Sequence, residues 1–263
     1  MEVILLPDPA AVTALGARIL AQQVRSKPAS VLGLATGQTM IGVYARLVAL
    51  QLDGSQLTCF NLDEYVGLGP SHPASYRAYM EQHFYRPLGV DRQRAFVPDG
   101  LAEDIEAECL AYERRIEVAG GLDLQLLGLG EDGHIGFNEP GSSLASRTRL
   151  KTLTPTTRAA NQRNFGDGIT PLHVLTMGVA TILSARRVLL LAYGAKKAEA
   201  VAAMVEGPVT AMCPASALQF HPACTVVVDE AAGSHLRLAD YYRTVYTHKP
   251  EAARRKLEGP DGP

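Results

Sequence analysis

The stretch LLGLGEDGHIGFNEP, residues 126–140, carries the clearest information on the fold and on the chemistry. Its apolar start is typical of a buried strand, and the glycines that follow indicate that this strand ends in a loop rather than a helix. Asp132, His134 and Glu139 then lie within eight positions. Two carboxylates beside an imidazole suit acid–base chemistry, because a neighbouring carboxylate can orient a histidine and raise its pKa.

Short apolar runs alternate with helical patterns along the rest of the chain. Runs of Val and Leu without polar alternation favour strands that are buried on both faces, as in a parallel sheet. The alternation predicts an α/β fold, with a doubly wound, mostly parallel sheet and helices on both faces. Strands are expected at 2–6, 30–34, 57–61, 122–128, 187–193 and 225–229, and helices at about 9–25, 38–51, 73–85, 102–119, 172–184 and 195–205.

Composition limits the class of protein. The 263 residues are 47% hydrophobic and carry a formal net charge of −2, so nucleic-acid binding has no electrostatic support. No apolar run reaches the roughly 20 residues that a membrane-spanning helix needs, so no membrane partner is expected. The four cysteines lie far apart without a CxxC pair, which indicates free thiols in a cytoplasmic protein. We expect a single domain over 1–248 and a charged, frayed tail over 249–263.

Three polar segments that contain glycine follow predicted strands, at 35–39, 61–67 and 128–141. In doubly wound folds, ligands bind beyond the carboxyl ends of the strands, so these segments are expected to converge on one site. Coincidence is the alternative, since glycine is common in all such loops.

The segment LGLATGQTM, residues 32–40, is a Gly-Thr loop that opens a helix. Free N–H groups at a helix start suit a phosphate, although a plain helix cap would have the same sequence. It lacks the lysine of a P-loop. GLGEDG at 128–133 matches G-x-G-x-x-G only formally, because no helix follows it, so dinucleotide binding is not predicted.

Asp63 and Glu64 follow an apolar strand, and because adjacent strand residues point to opposite sides, only one of them is expected to face the site. Lys196 and Lys197 begin another helix, where one could bind a phosphate as a point charge. The alternatives are a turn or capping acid and a solvated lysine pair.

Residues 140–166 contain no Asp or Glu, which favours an anionic ligand over a solvated basic face. The five cations of this basic run are Arg147, Arg149, Lys151, Arg158 and Arg163. No histidine has a partner at metal-ligand spacing, and Asp132 with His134 lacks a third ligand, so no metal is expected.

Together these segments resemble the glucosamine-6-phosphate deaminase family. The resemblance rests on GLATGQT, FNLDEYVGL, GEDGHIGFNEPGSSLASRTR and AYGAKKAEA, in this order along nearly the whole chain. It implies a single-domain, Rossmann-like three-layer sandwich that binds no nucleotide and needs no cofactor. It also implies conversion of D-glucosamine 6-phosphate, a small-molecule sugar phosphate, and water to D-fructose 6-phosphate and ammonia, which we class as hydrolysis of a C–N bond.

The resemblance also implies roles for individual residues. Asp63 resembles the base that moves a proton between C2 and C1, and His134 the group that assists ring opening. Asp132 and Glu139 resemble its carboxylate partners. The substrate phosphate is expected at Gly37, Gln38, Thr39, Arg163 and Lys197. Gln38 departs from the Gly or Ser that is frequent in the family, but the backbone N–H survives that change.

Some family members are hexamers that N-acetylglucosamine 6-phosphate activates. The positions that bind this activator match Ser142, Arg149, Lys151 and Thr152 here, and Tyr241 or Tyr242 could complete the set. A homo-oligomer, specifically a hexamer, with an allosteric site in the basic run is therefore expected.

Two other functions are open. A 6-phosphogluconolactonase of the same fold has a similar GxDGH loop, but it lacks the IGFNEP continuation and the DEYVGL form. A non-catalytic sugar-phosphate sensor usually carries a DNA-binding module, for which this chain has no spare length.

Overall fold

The computed structural model describes residues 1–162, 165–166 and 168–259. The strands in these residues are β1 Glu2–Leu6, β2 Val31–Leu34, β3 Thr58–Asn61, β4 Asp63–Tyr65, β5 Ala95–Phe96, β6 Leu124–Leu127, β7 Arg149–Thr152, β8 His173–Thr176, β9 Val188–Ala192 and β10 Cys224–Asp229. The α-helices are α1 Pro9–Ser26, α2 Gln38–Ala49, α3 Tyr76–Met80, α4 Arg86–Leu88, α5 Ile105–Val118, α6 Pro155–Asn161, α7 Val179–Leu183, α8 Ala198–Glu206, α9 Ala239–Thr247 and α10 Glu251–Glu258.

Seven strands form one sheet in the order β1-β10-β9-β6-β2-β3-β5, and every neighbouring pair in it is parallel. Strands β2, β6, β9 and β10 are buried along their whole length, which agrees with their unbroken apolar sequences. Helices flank the sheet. The predicted α/β fold with a mostly parallel sheet is therefore confirmed.

The order of the strands positions the candidate site. The chain runs outward from β2 through β3 to β5, and in the opposite direction from β6 through β9 to β10. The direction reverses between the neighbours β2 and β6, where the loops beyond their carboxyl ends part and leave a crevice. The loops after β3 and β9 flank that crevice, so four of the segments that the sequence singled out meet at one edge of the sheet.

A separate antiparallel sheet of order β4-β8-β7 was not expected. The helix predicted over 172–184 is wrong in its first half, because residues 173–176 form β8 and only Val179–Leu183 is helical. The sequence HVLT carries β-branched residues and pairs on both sides, with β4 and with β7. These tertiary contacts override the local helical pattern.

The charged tail differs from the expected frayed segment as far as residue 259. Helix α10 packs Leu257 into the core, and Arg18 forms an ion pair with Glu258 at 3.0 Å. Lys249 forms a second ion pair, with Glu2 of β1. Within the described part of the chain, no helix combines the length and the apolar character that crossing a membrane requires.

Candidate active site

The loop after β6 brings His134 back toward the end of its own strand. Gly130 donates its N–H to the His134 carbonyl at 2.9 Å, which closes a tight turn over residues 130–134. Inside the turn, Asp132 Oδ1 accepts the His134 N–H at 3.2 Å and lies 2.6 Å from His134 Nδ1. An ionised carboxylate can only accept, so Nδ1 carries the proton and Nε2 is the nitrogen left for chemistry.

Asp132 is ionised in this arrangement. The hydrogen bond from His134 lowers the pKa of the Asp132 carboxyl below its usual range, and partial burial opposes this shift only in part. The structure thus brings Asp132 and His134 together as a carboxylate–imidazole pair, which is the arrangement that a general acid–base group needs.

Glu139 lies elsewhere than the sequence indicated. It was expected to be a second partner of His134, but among the described residues its carboxylate accepts hydrogen bonds from the hydroxyls of Thr154 and Thr157. Both donors belong to the first turn of α6, which Thr154 caps. Glu139 is buried, and short polar side chains at a helix start are ready donors to a carboxylate. The contact was not predictable, because nothing in the sequence relates residue 139 to residues 15 and 18 positions later.

Asp63 begins β4 directly beyond the end of β3 and is 5% exposed. Burial raises the pKa of the Asp63 carboxyl well above its usual range, and the negative charge of Glu64 adds to the shift. A buried carboxylate of raised pKa is a stronger base than a solvated one. Asp63 is directly opposite Thr176 of β8, and its own carbonyl accepts a hydrogen bond from the Asn61 amide at 3.0 Å.

Glu64 points away from this site and has a structural role. Its carboxylate accepts three backbone N–H groups, those of Tyr65 at 2.8 Å, Tyr76 at 3.0 Å and Arg77 at 2.9 Å. Two of these belong to the first turn of α3, so Glu64 ties that helix to β4. As alternation along a strand requires, only Asp63 is left for the site.

Aromatic side chains surround Tyr65, the residue two positions beyond Asp63. The ring centroid of Tyr65 lies 4.9 Å from that of Tyr76, 6.0 Å from that of Phe137 and 5.1 Å from that of Phe165. Burial raises the pKa of Tyr65 to about 12, and the negative charge of Asp63 acts in the same direction. This aromatic cluster is therefore close enough to contribute to the desolvation of Asp63.

The loop between β2 and α2 has the features of an anion site. Gly37 precedes α2 with φ 112° and ψ 172°, a conformation that is essentially confined to glycine, and no side chain caps the helix. The N–H groups at the start of α2 are thus available to a ligand. Gln38 is exposed and Thr39 is partly buried. The Tyr79 hydroxyl donates to the Gly37 carbonyl at 2.8 Å and steadies the loop.

Lys197 lies in the turn that joins β9 to α8. Burial lowers the pKa of its amine, and the nearby carboxylates of Glu131 and Asp132 oppose that shift. Lys197 is therefore a half-buried cation beside the loop that carries His134. Arg163, the other predicted phosphate ligand, lies outside the described residues.

Three of the four residues predicted for an activator lie on β7, and they do not share one face of it. Arg149 and Lys151 alternate with Leu150 and Thr152, so Thr152 faces the opposite side, where it is 3.3 Å from His173 Nδ1. Arg149 donates to the side-chain carbonyl of Asn138 at 2.8 Å. Ser142 is buried, and its hydroxyl has no hydrogen-bond partner among the described residues.

Two further cations of the basic run are used within the fold. Arg147 forms an ion pair with Glu113 at 2.6 Å, and Arg158 donates to the Thr170 carbonyl at 3.0 Å. In residues 1–162, 165–166 and 168–259, no three His, Cys, Asp or Glu side chains are grouped as a metal ion would require.

Sequence reasoning missed several polar side chains that hold the site together. Asn138 offered a signal, since it is an amide inside the quoted motif, next to a candidate acid. The others were indistinguishable from ordinary helix or strand residues: Tyr79, Thr154, Thr157 and Thr176.

Known proteins resemble this chain in sequence and in structure. The profile of the family described as glucosamine-6-phosphate isomerases/6-phosphogluconolactonase matches residues 9–227. Glucosamine-6-phosphate deaminase of Streptomyces coelicolor is 55% identical over 257 residues, covering 95% of this chain and 98% of that protein. The deaminase of Mycolicibacterium smegmatis is 51% identical over 256 residues, with coverage of 95% and 98%.

Among solved structures, one described as a monomeric glucosamine-6-phosphate deaminase superimposes with a TM-score of 0.86. It is 45% identical, and the match covers 89% of this chain and 100% of that one. The 6-phosphogluconolactonase of Trypanosoma cruzi has a TM-score of 0.74 but only 20% identity, with coverage of 90% and 97%, and so shares the fold alone. The resemblance inferred from the motifs is confirmed: the chain belongs to the family of glucosamine-6-phosphate isomerases and 6-phosphogluconolactonases.

Proposed function

We propose that this protein converts D-glucosamine 6-phosphate and water to D-fructose 6-phosphate and ammonia. The observation that carries the proposal is the convergence of a buried carboxylate, a carboxylate–imidazole pair and a phosphate-type loop at one edge of the sheet. The relatives named glucosamine-6-phosphate deaminase, at 50–55% identity over 93–95% of this chain, support the same activity.

The substrate phosphate would bind to the N–H groups of Gln38 and Thr39, with Gly37 giving the loop its shape. A phosphate is favoured there because the positive end of the α2 dipole and the free N–H groups act together. Lys197 would add a charge-assisted contact. A phosphate held far from the reacting carbons contributes binding energy and fixes the register of the sugar.

The His134–Asp132 pair would open the pyranose ring. In ring opening, a proton leaves the C1 hydroxyl, the bond between C1 and the ring oxygen breaks, and that oxygen gains a proton. His134 Nε2 is suited to this transfer, because Asp132 fixes the orientation of the ring through Nδ1.

Asp63 would then take the proton from C2 of the open-chain aldehyde. The electron pair forms a double bond between C1 and C2 while the C1 carbonyl oxygen gains a proton, which gives an enaminol. Protonation at C1 then leaves an iminium group at C2, which can lose its N–H proton to become the imine. Water adds at C2 and ammonia departs, which gives the 2-ketose. The raised pKa of Asp63 favours proton abstraction from carbon, since a stronger base lowers that barrier.

The reaction is of the isomerase type, an aldose–ketose conversion in which water enters only at the imine. The name of the family includes isomerases, whereas the hydrolase class that we assigned from the sequence has no support in these relationships.

A 6-phosphogluconolactonase is supported only at the level of the fold, because the matching structures of that activity are 15–20% identical. A lactonase abstracts no proton from carbon, so it would tolerate the loss of Asp63. The set of buried and paired groups at Asp63, Asp132 and His134 also argues against a sensor without catalytic activity.

The decisive experiment measures ammonia and fructose 6-phosphate from glucosamine 6-phosphate with the wild-type protein and with Asp63→Asn. We expect equimolar products from the wild type and a loss of about 1,000-fold in kcat for the variant, because general bases contribute 10²–10⁴-fold. Absence of ammonia from folded protein, with hydrolysis of 6-phosphogluconolactone instead, would refute the proposal.

The hexamer and the activation by N-acetylglucosamine 6-phosphate stay predictions. One related deaminase of solved structure is described as monomeric, so family membership does not by itself imply a hexamer. Substrate saturation curves with and without the activator, together with sedimentation of the protein, test both. A hyperbolic curve that the activator does not change would contradict an allosteric site.

A further inference from the structure

His134 and Asp63 belong to different sheets. His134 lies on the loop that leaves β6 of the seven-stranded sheet, whereas Asp63 begins β4 of the three-stranded sheet. The distance between the His134 imidazole and the Asp63 carboxylate therefore depends on how this loop is fixed to the three-stranded sheet.

Asn138 makes that connection through all parts of its amide. It is fully buried, and Nδ2 donates to the Ile135 carbonyl at 2.8 Å and to the Met177 carbonyl at 2.8 Å. Its Oδ1 accepts from Arg149 Nη1 at 2.8 Å. One bond holds the residue next to His134, and the other two reach the end of β8 and the start of β7.

The adjacent loop residues rest on the same part of the second sheet. Phe137 donates its N–H to the Thr176 hydroxyl at 3.1 Å. Gly136 approaches so closely that a Cβ there would lie 2.9 Å from Thr176 Oγ1 and 3.6 Å from Asp63 Oδ2. The loop is thus packed directly over Asp63.

Asp63, the proposed base, is one of three side chains that form a row across the three-stranded sheet. Thr176 of β8 is directly opposite Asp63 of β4 on one side and Arg149 of β7 on the other. Residues that are directly opposite in antiparallel strands point to the same face, so these three side chains form one row across the sheet. Asn138 binds the last member of the row, and Gly136 covers the first two.

We infer that Asn138 is a positioning residue, which fixes His134 relative to Asp63 by fastening the loop to the three-stranded sheet. This inference rests on the proposed function. Asn138 touches neither the reacting carbons nor the substrate phosphate in the proposed scheme, so it acts on turnover through the position of His134.

The test compares Asn138→Ala with Gln219→Ala. Gln219 is a matched control, because its amide also donates to two backbone carbonyls, those of Met204 and Gly207, both at 2.9 Å and away from the site. For Asn138→Ala we expect kcat to fall about 100-fold, as a misplacement of about 1 Å does, while KM stays within about threefold. Gln219→Ala should lower Tm and leave kcat and KM at wild-type values.

A second readout follows His134 without turnover. Long-range ¹H–¹⁵N spectra of the imidazole should show one tautomer in the wild type and in Gln219→Ala, with the proton on Nδ1. Asn138→Ala should keep this tautomer, which Asp132 selects within the turn, but should shift the imidazole resonances, because the ring moves relative to Asp63. A wild-type kcat in Asn138→Ala, or an unchanged His134 spectrum, would overturn the inference.

If Asn138→Ala does not fold, Arg149→Met removes the donor to Asn138 Oδ1, together with a longer contact to the Arg147 carbonyl at 3.4 Å. This variant should lower kcat about tenfold with the same change in the spectrum; wild-type values would overturn the inference. If the wild type releases no ammonia, the proposed function fails, and the His134 spectra alone decide the role of Asn138.

Discussion

His134 Nδ1 lies 2.6 Å from Asp132 Oδ1, two residues earlier in the same tight turn. We expect Asp132→Asn to lower kcat about 100-fold with little effect on folding, because an amide can donate as well as accept and no longer selects the tautomer with Nδ1 protonated. Steady-state kinetics measure this effect. Glu131→Gln is the control: it removes an equal charge next to Asp132 from a side chain with no hydrogen bond to His134, and equal losses in both variants would argue against a specific role of Asp132.

The raised pKa of Asp63 makes stability depend on pH. The folded protein binds this proton more tightly than the unfolded chain does, so stability falls as pH rises from the ordinary aspartate pKa of about 4 through the raised value. Asp63→Asn removes the ionisable group and therefore removes this loss of stability. Urea unfolding should therefore give the variant a larger free energy of unfolding than the wild type at neutral pH, and a similar one near pH 4.

Catalysis should show the opposite dependence on pH from stability, because only ionised Asp63 acts as a base. The acid limb of kcat/KM for the wild type is expected to have its midpoint above the usual aspartate range. A midpoint near pH 4, together with equal stabilities of wild type and Asp63→Asn at neutral pH, would show that Asp63 is solvated rather than desolvated.

Lys197 and Lys196 are adjacent cations with different environments. Lys197 is half-buried beside the His134 loop, and Lys196 is exposed. We expect Lys197→Gln to raise KM about tenfold or more, with a smaller change in kcat, because a charge-assisted contact with the phosphate is worth about 1.5–3 kcal/mol. Lys196→Gln makes the same change of charge one residue away and should leave KM within about twofold. An equal rise of KM in both variants would indicate general electrostatic attraction instead of a direct contact.

The bond between Thr157 and Glu139 should govern the opening of α6. Thr157→Val keeps the shape of the side chain but removes a hydrogen-bond donor to the buried Glu139 carboxylate. Loss of one hydrogen bond to a buried group costs about 1–3 kcal/mol. Amide hydrogen exchange over 155–161 should become about tenfold faster or more, while exchange in α5 stays unchanged. Thr157→Ser retains the hydroxyl and should exchange like the wild type; if it is as fast as Thr157→Val, the methyl group and not the hydrogen bond holds the helix.

The sequence was most informative where one local pattern decides the structure. Short apolar runs such as Leu124–Leu127, followed at once by glycines, favour interior strands, and the glycine-rich ends placed Asp132 and His134 at the edge of the parallel sheet. Strand alternation predicted that only one of Asp63 and Glu64 would face the site, and the resemblance to the family indicated Asp63. These features depend on neighbours in the chain, which the sequence contains.

Contacts between distant segments were beyond such reasoning. Strand β4 has three residues and β8 has four, so their pairing is decided by packing and not by propensity. Glu139 turned out to bind the start of α6, and α10 docks through Leu257 although most of its residues are charged. Each of these depends on which surfaces meet in three dimensions.

The aromatic cluster around Tyr65 offers an optical probe of the contact between Tyr65 and Phe165. The chain contains no tryptophan, so Phe165→Trp would introduce its sole indole, next to the Tyr65 ring that Phe165 contacts at 5.1 Å. Emission from an indole shifts to the blue when the ring is shielded from water. The wavelength of a single fluorophore would then report, in real time and without any labelled substrate, whether residue 165 stays packed against Tyr65 while the sugar phosphate enters and the product leaves.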